Sequence, residues 1–248
     1  MAKTHQTAWT AGAATVMLAV AAAAVVMIST DHHDVTAAPP PPDVFHDVIT
    51  VAGLLDALPV VDDLESVSRW PDDQRSVKLD VRAGNDHGCD TKNLALAAEL
   101  DEVTFVPGAA DCVVAHGVLT DPYTGVSVQY DATSENDSVA LDYVYPLDAA
   151  WSLGAAAWGP DQRQRFISDV SNNIVVAGTQ SVEDKAQRGL GRWHPNNGDR
   201  ACAFAAKYLR VAQAYSLPVT RGDAAAATQL CGLDSSVVTT TGEIETVN

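Results

Sequence analysis

Four cysteines, Cys89, Cys112, Cys202 and Cys231, constrain what this chain can fold into more than any other feature. They form an even set with no CxxC pair of the kind that binds zinc, so a disulfide framework is expected. Four cysteines permit three pairings. Proximity along the chain favours Cys89 with Cys112 and Cys202 with Cys231, each closing a loop of a size that typically contributes about 3 kcal/mol. Disulfides require an oxidising compartment, where buried free thiols are uncommon.

The N-terminal region agrees with export. The stretch "AWTAGAATVMLAVAAAAVVMIS" (8–29) carries no charge and is just long enough to cross a bilayer, which takes ~20 residues. Lys3 precedes it while Asp31 and Asp34 follow, an arrangement that favours a cytoplasmic N-terminus. A cleavable signal usually has a shorter core, and the small-residue "VTA" (35–37) lies well beyond the apolar run. An uncleaved anchor is therefore expected ahead of a cleaved signal. Either way the body is extracytoplasmic, membrane-anchored with its N-terminus inside or secreted after cleavage. "AAPPPPD" reads as a stiff, extended spacer. The expected division is a stub (1–7), the anchor or signal segment (8–29), a Pro-rich linker (30–49), one folded domain (50–233) and a disordered tail (234–248).

Of the 248 residues, 47% are hydrophobic, enough for one sizeable core. Asp and Glu number 32 against 15 Lys and Arg, for a net charge of −17. A body this acidic repels polyanions unless a metal or a local basic strip intervenes.

Patterning gives the class. "VAGLLDALPVV" (51–61) and "TKNLALAAEL" (91–100) have helical spacing. From 103 to 144 the runs "VTFV", "CVVAHGVL", "VSVQY" and "VALDYVY" are β-branched or alternating, separated by the turn clusters "PGAAD", "DPYTG" and "SENDS". After Pro146 helices return. "LDAAWSLGAAAW" places Ala150, Gly154 and Ala157 on one face, and "GPDQRQRFISD" carries Pro160 in its first turn. "NNIVVAG" (172–178) is a short strand, "TQSVEDKAQ" (179–187) a helix capped by Thr179, and "RACAFAAKYLRVAQAY" and "RGDAAAATQLCGL" are further helices. The expected class is α+β, strands early and helices late.

Five segments occur in a telling order: "GCDTKN" (88–93), "C…GVLTDPYTG" (112–125), "LDYVYPLDAAWSLGAAAW" (141–158), "RQRFISDVSNN" (163–173) and "K…W-x-P" (185–195). Over about residues 50 to 231 this order resembles the exported bacterial HNH-type nucleases related to the C-terminal domain of GmrSD-type restriction enzymes. The resemblance implies a ββα-metal (His-Me finger) element, formed by strands 139–145 and 173–177 and helix 179–187. It implies cleavage of DNA with a divalent metal, Mg²⁺ or Mn²⁺. In that family the third segment reads Asp-His-x-x-Pro-Leu. The carboxylate helps hold the metal, a hard cation that wants oxygen, and the histidine is the general base, with a pKa near neutrality.

Here Asp142 is kept and Tyr143 replaces the histidine. A phenol titrates near pH 10, and losing a positioned base costs on the order of 100- to 10,000-fold in rate. By the same resemblance Asn172 positions the base or joins Asp142 on the metal. Arg163, Arg165 and Lys185 are the phosphate contacts, the start of a local basic strip through which DNA would be a partner. The family's finger-helix asparagine falls at Ser181 or Val182, so a second ligand or an orienting amide is lost, while Trp193 and Pro195 match its W-x-P signature. The expected function is a catalytically degenerate nuclease-fold protein kept as a binding or structural scaffold. An active metal-dependent endonuclease is the alternative. His194 reads as structural rather than as a substitute base, Tyr123 as packing beneath the "DPYTG" turn, and "NDHGCD" (85–90) and "DHHD" (31–34) as a turn and a solvated linker that need no metal.

Overall fold

The computed structural model describes residues 44–75, 89–109, 111–196 and 198–233. The apolar segment 8–29, the "DHHD" and polyproline linker, His87 and the tail 234–248 lie outside the described residues. Among the described residues no helix is long and apolar enough to cross a membrane.

The chain runs α1 (Val44–Ala57), β1 (Val60–Val61), α2 (Asp72–Arg75), α3 (Thr91–Glu99), β2 (Asp101–Phe105), β3 (Val114–Thr120), β4 (Ser127–Asp131) and β5 (Val139–Tyr143). It continues through α4 (Leu147–Ser152), a 3₁₀ turn (Ala155–Ala157), α5 (Pro160–Ile167), β6 (Ile174–Gly178), α6 (Thr179–Lys185), α7 (Gly198–Ala214), β7 (Val219–Thr220) and α8 (Arg221–Leu230). This is the α+β class that the patterning predicts.

Strands β2, β3 and β4 form an antiparallel sheet in that order; β5 pairs antiparallel with β6, and β1 pairs parallel with β7. Both disulfides take the pairing that proximity favours. Cys89–Cys112 links the approach to α3 with the approach to β3, and Cys202–Cys231 ties α7 to the end of α8.

Two apolar clusters meet at β6. The larger is built on α7, whose Phe204, Ala205, Tyr208, Leu209 and Ala212 are buried, and it reaches Val175 and Ala177. The smaller lies between α3 and the three-stranded sheet and takes Ile174 and Val176. Alternate side chains of β6 thus enter opposite clusters, as the two-residue period of a strand requires. Each large apolar side chain fully buried here contributes roughly 1.5–3 kcal/mol.

Four expectations are corrected. Helix α1 starts at Val44 and ends at Ala57, so the folded body begins inside the stretch assigned to the linker. Pro59 follows, and Val60 and Val61 pair with Val219 and Thr220 instead of extending the helix. The run 147–158 is not one helix. Gly154 adopts φ 140°, beyond the ordinary reach of other residues, so α4 stops and the 3₁₀ turn starts afresh. Thr179 does not cap α6. Gly178 occupies the cap, and the Thr179 hydroxyl donates to the Asp137 carbonyl.

Candidate functional site

Strand β6 leads directly into α6, and β5 lies beside β6 with Asp142 opposite Val175 and Tyr143 opposite Ile174. Opposed residues share a face. Asp142 therefore points with Val175 toward the larger cluster, while Tyr143 shares the face of Ile174, which belongs to the smaller one. Neighbours in sequence, the carboxylate and the phenol leave opposite sides of the strand. The Tyr143 hydroxyl donates to the Ile167 carbonyl at 3.1 Å.

Asp142 is 4% exposed, and protein donors engage both its oxygens. Lys185, at the end of α6 and 0% exposed, places its ammonium 3.2 Å from one oxygen and 3.1 Å from the other. The same ammonium donates to the Tyr143 carbonyl at 2.7 Å. The Tyr123 hydroxyl donates to the second oxygen of Asp142 at 2.5 Å. Burial pulls the Lys185 pKa below the ordinary lysine value, against an opposing upward pull from Asp142. Burial, reinforced by the negative charge of Asp142, pushes the Tyr123 phenol well above its ordinary value and keeps it a proton donor.

Tyr123 is held in place by its own turn. Asp121, buried, accepts from the backbone N–H groups of Tyr123 (2.7 Å) and Thr124 (3.0 Å) with one oxygen. With the other it accepts from Gly178 N–H (2.8 Å) and the Ser181 hydroxyl (2.9 Å), fastening the β3–β4 turn to the start of α6. A side chain at 178 would collide with this carboxylate, because a Cβ there would sit 2.7 Å from Asp121 Oδ2. Sequence reasoning assigned Asp121 no role; its signal was the "DPYTG" segment, read there only as a turn.

The remaining site candidates lie elsewhere. Asn172 is exposed and gives its side-chain amide to Asp169 at 3.2 and 2.9 Å. Its neighbour Asn173 is buried and has a backbone role instead. The Asn173 side-chain oxygen accepts from Tyr145 N–H at 2.9 Å and its carbonyl accepts from Val144 N–H at 2.8 Å, clamping the chain as it leaves β5. Arg163 donates to the carbonyls of Ala155 and Ala156 and to Gln74, with its guanidinium 4.9 Å from the Trp151 ring centroid, which braces the 3₁₀ turn. Arg165 is exposed on α5. Lys185, enclosed with Asp142, offers no ammonium to a phosphate. Of its basic neighbours, Arg188 pairs with Asp184 and Arg192 donates to the Leu64 carbonyl.

Outside α6 lies a cleft of about 740 Å³ whose walls include Tyr123, Gln180, Ser181, Asp184, Trp193 and His194. Trp193 Nε1 donates to Asp184 at 2.7 Å, and Asp142 and Lys185 are not among the residues lining the cleft. The donors do not fit a divalent cation. Asp142 is neutralised by an ammonium, Asn172 is turned to Asp169, and among the described residues no three His, Cys, Asp or Glu side chains converge.

No family model matches the chain, and no solved structure matches it. It is similar to an uncharacterized secreted protein of Arthroderma benhamiae, 32% identical over 143 residues that make up 57% of this chain. The match spans 66% of that relative's length, just under two thirds.

Proposed function

We propose that the chain is an exported protein built on an HNH-type nuclease scaffold that has lost phosphodiester hydrolysis and is kept for binding or structural support. The observation that carries this reading is the capture of Asp142. In the resemblance this carboxylate holds the metal, and here Lys185 and Tyr123 engage it inside the core. Position 143, where the general base belongs, carries a phenol that leaves the opposite face of β5. The order β5–β6–α6 supports the ββα comparison. Two disulfides and the secreted description of the Arthroderma benhamiae relative support export.

Plasmid nicking by the full chain with Mg²⁺ or Mn²⁺ tests the loss of activity. Neither the unaltered protein nor Tyr143→His cuts, because restoring an imidazole does not free Asp142. Metal-dependent nicking by the unaltered chain, abolished in Asp142→Asn, overturns this reading in favour of an active endonuclease.

A further inference from the structure

A second cleft, of about 210 Å³, opens between α3, the "DPYTG" turn and α7. Its floor is apolar: Val144 at the exit of β5, Val175 of β6 and Phe204 of α7 are all buried. Two cations of α7, Arg200 and Lys207, stand on its wall seven residues apart, on the same face of the helix. Lys207 has a counter-ion, its ammonium lying 3.9 Å from Glu99. Arg200 has none among the described residues, although the chain carries 32 acidic side chains and Arg69, Arg188, Arg210 and Arg221 each have a carboxylate.

The Arg200 side chain is nonetheless positioned. Its guanidinium lies against Gly125, where a Cβ would stand 2.9 Å from Nε and from Nη2. Gly125 also has φ +77°, a conformation other residues rarely take, so the turn is shaped to receive this group. A half-buried guanidinium lying against this turn above an apolar floor presents a planar donor fork to an oxyanion. The volume lies below the roughly 300 Å³ at which drug-sized pockets begin.

We propose that this cleft binds a small monocarboxylate bearing an aryl or short alkyl tail, with its carboxylate on Arg200 and its tail over Val144, Val175 and Phe204. With Lys207 matched by Glu99, one positive charge is left for the ligand, which selects a monoanion over a dianion. The site owes nothing to the nuclease resemblance and stands whether or not the chain cuts DNA.

Titration of the full-length chain with phenylacetate and hexanoate, followed by amide chemical shifts and calorimetry, tests the site. At least one acid saturates with a Kd of roughly 1 mM or tighter and shifts the amides of Val144, Val175 and Phe204, while 2-phenylethanol and 1-hexanol bind about tenfold more weakly or worse. Arg200→Gln weakens the acid about ten- to a hundredfold. Ala203→Phe, which fills the cleft and leaves Arg200 in place, abolishes binding. The proposal fails if neither acid saturates, if the shifts fall on other residues, or if the neutral alcohols bind as tightly as the acids. The last two readings come from the unaltered chain and hold even if a variant does not fold.

Discussion

The side chain of Asn173 receives the backbone N–H of Tyr145 inside the core, whereas Asn172 directs its amide to Asp169 at the surface. Removing a buried acceptor strands its donor without water, which costs about 1–3 kcal/mol. Asn173→Ala is therefore expected to lower unfolding stability by about that amount, with Asn172→Ala costing clearly less, as urea melts of the two variants will report. The adjacent asparagines "NN" were indistinguishable by type. Which one turns inward depends on where β6 begins, and a one-residue change of register flips every side chain. Asp142 posed the same difficulty. Its position at a strand end was legible, but its partners come from 19 and 43 residues away, through Tyr123 and Lys185.

At the scale of elements, α3, α5, β3, β4, α7 and α8 follow from periodicity, Pro160 in a first turn and the turn clusters between strands. The pairing of the cysteines followed from spacing alone. What patterning missed was decided by backbone conformation or by distant partners. Gly154 divides the 147–158 run through a φ that composition does not reveal. Val60 and Val61 become a strand because Val219 and Thr220 are there to pair with them. Gly178 caps α6 because Asp121, 57 residues earlier in the chain, takes its N–H. Of the candidate site, the succession of strands β5 and β6 and helix α6 was readable and the burial of Lys185 against Asp142 was not, since Lys185 reads in sequence only as a helix-end cation able to touch a phosphate.

For the molecule as a whole, buried phenols govern behaviour in alkali. Burial raises the pKa of Tyr123, Tyr145, Tyr208 and Tyr215 above the ordinary 10.0, and neighbouring Asp carboxylates add to the shift. A group whose folded pKa is raised contributes stability in full below its unfolded value and loses it as pH climbs toward the folded one. Lys185 and Lys207 work in the opposite direction, since burial lowers both pKa values and stability grows as pH rises through the folded values toward 10.5. About a unit above 10.5 the lysine contribution is complete and only the tyrosine contribution continues to change. Stability from denaturant melts is expected to fall steadily above that pH, with the ultraviolet signal of these four phenolates emerging only as the chain unfolds. Ionisation of all six tyrosines near pH 10 in the native protein contradicts the burial described here.

The pairing of Asp142 with Lys185 underlies the functional reading, and a double-mutant cycle in unfolding free energy tests it most directly. Removing one member of a buried ion pair strands the other charge at a cost of about 3–5 kcal/mol. Lys185→Met and Asp142→Asn alone are each predicted to destabilise by about that amount, and the double variant to recover roughly 2 kcal/mol or more of the summed loss. A carboxylate reserved for a cation behaves otherwise. If Asp142→Asn leaves the metal-free protein unchanged or more stable, and the two substitutions simply add, the ion pair is absent and the account is wrong.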